Sequence, residues 1–293
     1  GQAIPSLDPA AALMRIPEPE LISSRRNPVV RQLRELHEPR GRREQGRLLL
    51  EGRHLLEEAL RLGLEPDLVL ATPTWIAAHP RLWQALPAST RRLTLAEEAL
   101  QHAATTRQPD GVLATLAPPE PQAGAQARFV VVLDRLQDPG NLGTLLRTAL
   151  AAGVEQVWLA DGADPHAPKV LRASSGAALA LPLRRLAGSE LPGCLETAAA
   201  AGLQVVATVV GEGRPYWELD WRQPTLLLLG NEGAGLAPQL CALAAERVTI
   251  PHSPAVESLN VAVAAAPLLL ERWRQNAIPS GGRMPPIPHS LPQ

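Results

Sequence analysis

Three short segments combine charged, amide and hydroxyl side chains with glycine in patterns that could serve a reaction. The first runs Leu133-Asp134-Arg135-Leu136-Gln137-Asp138-Pro139-Gly140-Asn141-Leu142-Gly143-Thr144-Leu145-Leu146-Arg147-Thr148-Ala149. It reads as a strand that turns sharply and opens a helix, with Asn141 as the N-cap and Arg147 about two turns inside. A guanidinium in that place can grip a phosphate; by itself the pattern is equally a strand, turn and helix with ordinary caps. The second, Leu229-Gly230-Asn231-Glu232-Gly233-Ala234-Gly235-Leu236, sets three glycines after a strand, where the missing Cβ lets backbone approach a ligand. The third is Val248-Thr249-Ile250-Pro251 followed by Glu257-Ser258-Leu259-Asn260-Val261-Ala262-Val263-Ala264-Ala265-Ala266, a strand, a loop and a helix start built of small residues that permit close packing.

The elements that must position these segments follow from hydrophobic patterning. Apolar runs at Phe129 to Leu133, Gln156 to Ala160, Ala180 to Leu183, Leu203 to Val209, Leu226 to Leu229 and Val248 to Ile250 alternate with helical stretches. Strands apolar on both faces predict a mostly parallel sheet covered by helices, on which ligands bind at the carboxyl ends of strands. Ahead of it a small α/β domain is expected over residues 21–117. Its expected elements are an arginine-rich helix from Pro28 to Glu38, a strand at Arg47 to Gly52, a helix from Arg53 to Leu62 and a strand at Leu68 to Ala71. The proline- and alanine-rich stretch 118–127 has linker composition, dividing that domain from a second one over 128–276. Residues 1–20 and 277–293 read as a disordered leader and tail. No internal repeat is apparent.

At 293 residues, 45% hydrophobic and 19% charged, the chain can bury two cores, and no apolar run approaches the ~18 residues of a membrane span. No secretory signal is recognisable, so a cytoplasmic location is expected. Cys194 and Cys241 stand far apart without metal-ligand spacing, so neither a disulfide framework nor a metal site is expected, and both read as buried small hydrophobes. The net charge of −1 conceals a local basic patch: Arg25, Arg26, Arg31, Arg34, Arg40, Arg42, Arg43 and Arg47 face only Glu35, Glu38 and Glu44. Such a patch serves either phosphate contact or solubility, and the preference for arginine is equally explained by GC-rich codons. The one lysine is Lys169.

Taken together, in this order and spacing, the three segments resemble the motifs of the SpoU/TrmH family of RNA 2′-O-ribose methyltransferases, over about Phe129 to Arg274. The segment from Ile22 to Leu70 resembles the substrate-binding domain often found ahead of it. The resemblance implies an α/β fold with a C-terminal trefoil knot, an S-adenosylmethionine site in that knot, no metal, and a homodimer. It places the cofactor among backbone groups of Val209, Gly230, Asn231, Ile250 and Leu259. Around the incoming ribose it implies Arg147, Asn141, Glu232, Ser258 and Asn260 as catalytic residues. Arg25, Arg26, Arg31, Arg34, Arg42 and Arg43 would contact RNA phosphates, which adds salt-sensitive affinity with little base specificity. Lys169 and Arg172, in the family-like stretch Lys169 to Ala177, would join them, the alternative being a solvated helix face. Ala262 stands where the family commonly has Ser, and Pro267 where it has an aliphatic residue; a bend is expected at Pro267.

Methyl transfer to a ribose hydroxyl needs alignment of a weak nucleophile with a sulfonium. Arginine is an unfavourable literal base, because a guanidinium titrates above about 12 and bringing it to neutrality costs about 7 kcal/mol. A charged Arg147 that grips phosphate and favours the alkoxide electrostatically is the preferred reading. Glu232 is either the proton acceptor or a helix-dipole and capping partner. A nucleotide-dependent dehydrogenase or kinase is disfavoured, since neither glycine-rich phosphate motif is present. A tRNA-directed or antibiotic-resistance-type member and a non-catalytic RNA binder stay open. Ribosomal RNA is favoured because of the preceding domain, and shape recognition because aromatic residues are only 3% of the chain.

Overall fold

The computed structural model describes residues 21–120 and 126–277. The expected leader, most of the tail and the middle of the expected linker lie outside the described residues. The first sheet holds β1 (Leu21–Ile22), β2 (Leu48–Glu51), β3 (Leu68–Ala71), β4 (Arg91–Leu95) and β5 (Val112–Leu116) in the order β1-β4-β3-β5-β2. β5 runs antiparallel to both of its neighbours, and the other pairs are parallel. The second sheet holds β6 (Phe129–Asp134), β7 (Gln156–Ala160), β8 (Leu183–Leu186), β9 (Gln204–Thr208), β10 (Arg214–Pro215), β11 (Thr225–Leu229) and β12 (Glu246–Thr249). Its order is β10-β12-β9-β11-β6-β7-β8, every pair parallel. β6 and β11 are buried at every position, as strands covered by helices on both faces must be.

Two elements depart from expectation. The arginine-rich helix stops at Glu35, and a second one begins at Pro39. Proline disfavours helical backbone at the residue before it, and Glu38 is accordingly extended. The run Ala180 to Leu183 does not form one strand: Ala177–Ala180 is a buried helical turn, and β8 starts only after Pro182. Short apolar runs look alike whether buried in a helix or in a strand. Pro267 does not end the helix Val261–Ala277. The helix hydrogen bond that its missing N–H forgoes is the one to the Val263 carbonyl.

One hydrophobic cluster joins the two sheets. Leu48 and Leu50 of β2 and Leu55 and Leu56 of the helix Arg53–Arg61 pack in it with Val170, Leu171 and Ala177 from the helices preceding β8. Two ion pairs reinforce that junction. Arg42 Nη2 meets Asp164 Oδ2 at 2.8 Å, and Arg172 Nη1 meets Glu51 Oε2 at 2.5 Å.

Candidate active site

β12, β9 and β11 lie side by side, so their carboxyl ends open on one cleft. Val209 follows β9, Gly230 and Asn231 follow β11, and Ile250 follows β12; all four line the cleft, with Leu259 closing it from the loop before the last helix. Glu232 and Ser258 stand in the same wall. The seven residues therefore meet in one place. Thr208 and His252, which no sequence pattern singled out, line it too.

The glycine loop folds back on itself. Asn231 N donates to Gly235 O at 3.1 Å and Gly235 N returns to Asn231 O at 2.9 Å. A Cβ on Gly230 would stand 2.2 Å from Leu236 N, so the close approach that needs glycine here is to the loop's own backbone. Asn231 Oδ1 accepts from the amides of Gly233 and Ala234, both at 2.9 Å, while its Nδ2 donates to Arg135 O at 2.7 Å. Glu232 continues the bridge: its Oε1 accepts from Gln137 N at 2.9 Å and from Asp138 N at 2.6 Å. Of its two sequence readings, capping is the geometry present, with the carboxylate fastening the glycine loop to the turn after β6.

That turn leads into the helix Pro139–Ala151, whose N-cap is Asp138 rather than the expected Asn141; Asp138 Oδ1 accepts from Asn141 N at 2.8 Å. Asp followed by Pro at the first helical position is the favoured start, and it leaves the Asn141 side chain free. Asn141 Oδ1 instead accepts from Asn260 Nδ2 at 3.0 Å. Asn260 Oδ1 in turn accepts from Ala262 N at 2.9 Å and Val263 N at 3.1 Å, capping the last helix. Asn260 sits between two cleft residues, Leu259 and Val261. Arg147 is exposed, lies outside the cleft wall, and makes no ion pair or hydrogen bond among the described residues.

Of the expected RNA-binding residues, Arg25, Arg26, Arg31, Arg34, Arg43 and Lys169 are exposed. Arg25 pairs with Glu98 and Arg34 Nη1 donates to His102 O. Arg42 is a correction. Its side chain is 5% exposed, and it donates to Leu36 O, His37 O and Asp164, so it cannot meet a phosphate. Arg172, its side chain 31% exposed, shares its Nη1 between Glu51 and Thr105 Oγ1 at the junction of the two sheets. Burial opposes charge on Asp164, but Arg42, the His166 amide and Arg185 together hold its carboxyl below the ordinary range. Burial also pushes His166 down, against the pull of Asp164. Cys194 and Cys241 are half-exposed rather than buried, because Leu195 and Leu240 take the inward faces of their helices.

Among the described residues no group of His, Cys, Asp or Glu is arranged to hold a metal ion, and no helix is long and apolar enough to cross a membrane. Residues 128–270 match the model of the SpoU rRNA methylase family, and residues 27–114 match the MRM3-like substrate binding domain. An uncharacterized tRNA/rRNA methyltransferase of Synechocystis is 47% identical over 87% of this chain and 93% of its own length. The 23S rRNA (guanosine(2553)-2′-O)-methyltransferase RlmP of Bacillus subtilis is 36% identical over 85% of this chain and 97% of its own. The AdoMet-bound rRNA methyltransferase of Sinorhizobium meliloti superposes with a TM-score of 0.72 at 30% identity, over 87% of this chain and 97% of that one. With its fold, its strand-end cleft and both halves accounted for in this way, the chain belongs to the SpoU rRNA methylase family.

Proposed function

We propose that this protein transfers a methyl group from S-adenosylmethionine to a ribose 2′-hydroxyl of ribosomal RNA, in the cytoplasm where ribosomes are made. The observation that carries the reading is the single cleft at the tips of β9, β11 and β12, tied by Asn260 and Asn141 to the helix that bears Arg147. The cleft suits the cofactor chemically. Its walls are largely apolar, contain backbone of the strand ends, and include no Lys or Arg that would repel a sulfonium. Val209, Gly230, Asn231, Ile250 and Leu259 would hold the cofactor, which when bound supplies an electrophilic methyl group.

The chain's own residues supply alignment and charge. Glu232 and Asn231 hold the turn after β6 against the glycine loop, so that the helix carrying Arg147 starts at a set distance from the cleft. Arg147, free of protein partners among the described residues, grips the phosphate beside the target ribose and lowers the energy of the developing alkoxide. Ser258, exposed in the cleft wall, orients the sugar. Arg25, Arg26, Arg31, Arg34, Arg43 and Lys169 add affinity through phosphates.

A second copy of the chain is the proposed partner. Leu150 of the helix Pro139–Ala151 and Val263, Leu270 and Trp273 of the last helix are 41%, 61%, 45% and 45% exposed, on two helices that pack together. A threaded C-terminus is proposed on the return of β12 between β10 and β9, after which the chain crosses to pack on the helix Pro139–Ala151.

Calorimetric titration with S-adenosylmethionine, NAD and ATP, followed by ribose-methylation mapping of total RNA with and without the gene, tests the assignment. Binding of S-adenosylmethionine alone and loss of one rRNA methyl mark are expected; an unchanged rRNA map would remove the proposed activity.

A further inference from the structure

Glu51 ends β2 with a side chain only 5% exposed, where a carboxylate needs partners. It accepts from Thr105 N at 2.8 Å, from the Thr105 hydroxyl, and from Arg172 Nη1 at 2.5 Å. Arg172 Nη1 also reaches Thr105 Oγ1 at 2.8 Å. One buried carboxylate thus joins the start of the loop Thr105–Gly111 to a helix of the second domain. The other end of the loop is also held, since Asp110 Oδ2 accepts from Arg53 N at 2.8 Å and Gly111 O accepts from Thr72 N at 3.0 Å. Gly111 takes a φ of +118°, open to glycine, as the loop re-enters β5. Between these anchors Arg107 and Gln108 are exposed, and Arg107 has no partner among the described residues.

The junction points this loop toward the reaction. Arg172 precedes Ala173, which packs so closely on Gly143 that a Cβ there would stand 2.5 Å from Ala173 Cβ. Gly143 lies one turn before Arg147 on its helix, and Lys169 one turn before Arg172, exposed. Three exposed cations, Arg107, Lys169 and Arg147, are thus carried on elements linked through this junction, where Glu51 is paired with Arg172. We infer that the loop Thr105–Gly111 contacts the substrate RNA strand, with Arg107 on a phosphate and Glu51 as the positioning residue that holds the loop over the second domain. The inference rests on the methyltransferase reading for its substrate.

The test uses the full chain with a transcribed rRNA fragment. Arg107→Glu is expected to raise the KM for RNA about tenfold and to lower the slope of log affinity against log salt by about one, with kcat and S-adenosylmethionine affinity within twofold. Arg107→Lys is expected to restore most of the salt slope, which a merely structural role would not predict. Glu51→Gln, which keeps an acceptor for the Thr105 amide but loses the charge facing Arg172, should raise KM with kcat little changed. If Arg107→Glu leaves the KM and the salt slope at wild-type values while wild type methylates, the loop assignment is overturned and the methyltransferase reading stands. If wild type binds RNA without transferring methyl groups, and Arg107→Glu still lowers the salt slope, the activity is overturned and the loop assignment stands. Absence of RNA binding by wild type overturns both.

Discussion

Asn260 Nδ2 donates to Asn141 Oδ1 at 3.0 Å, joining residues 119 positions apart at the starts of two helices. Asn260 has a second task, since its Oδ1 caps the last helix through the amides of Ala262 and Val263. Removing Asn260 therefore costs more than removing Asn141. Asn260→Ala is expected to lose about 1–2 kcal/mol, cap and crosslink together, against about 0.5–1 kcal/mol for Asn141→Ala. Chemical denaturation of both single variants and the double variant measures the coupling; additive losses would mean the side chains act independently.

Glu232 discriminates between a positioning and a proton-accepting role. Its Oε1 takes the amides of Gln137 and Asp138, a task that a glutamine carbonyl can still perform. Glu232→Gln is expected to keep kcat within about tenfold of wild type, and Glu232→Ala to lose about a hundredfold or more, the scale on which misplaced groups cost rate. Equal and severe loss in single-turnover assays of both variants would instead make the carboxylate the base.

Arg147 is exposed and unpaired among the described residues, so its replacement should leave the melting temperature within about a degree, as for ordinary surface sites. Turnover should fall about a hundredfold or more in Arg147→Ala and less in Arg147→Lys, which keeps the charge but loses the two-pronged grip. Near wild-type turnover in both would dismiss its proposed role.

Acid should weaken the domain junction in two steps. His166 is held below its ordinary range by burial, so the folded protein binds its proton less readily than the unfolded chain. Its contribution is present above about pH 6.5 and is lost as pH falls through the lower folded value. Asp164 is also depressed: burial opposes its ionisation, but Arg42, the His166 amide and Arg185 prevail. Its contribution is present above about pH 3.9 and is lost as pH falls further. Melting temperatures followed from pH 8 to pH 2 should decline first through His166 and, below about pH 4, through Asp164; His166→Gln should flatten the first part of the curve. Arg42→Met, which leaves Asp164 only the exposed Arg185 and the His166 amide, is expected to cost about 3 kcal/mol at neutral pH.

Gly230 offers a backbone test of the cleft. A Cβ there would meet Leu236 N at 2.2 Å and Gly235 C at 2.3 Å, so the glycine loop must open. Gly230→Ala should weaken S-adenosylmethionine binding about tenfold or more while circular dichroism stays unchanged, since the displaced loop, Asn231 to Gly235, is largely exposed. Unaltered affinity by calorimetry would place the ligand elsewhere.

Local sequence determined the strand-turn-helix at Leu133 to Ala149, the turn after Leu229 and the small-residue start after Asn260, because caps, glycines and apolar runs act over a few neighbouring residues. Val209, Gly230, Asn231 and Ile250 follow strands patterned in this way, and parallel-sheet geometry gathers such tips on one edge; their assignment to a cofactor, with Leu259 of the loop before the last helix, came from the family resemblance. Tertiary structure alone decided what the long polar side chains do. Arg42 reads as one of eight surface arginines until the fold brings Asp164, 122 residues away, against it. Arg172 is claimed by Glu51 across 121 residues, and Glu232 by two amides some 95 positions earlier. A charge is drawn to whichever counter-charge or unpaired amide the packed chain presents within about 3 Å, and sequence separation carries no trace of that distance.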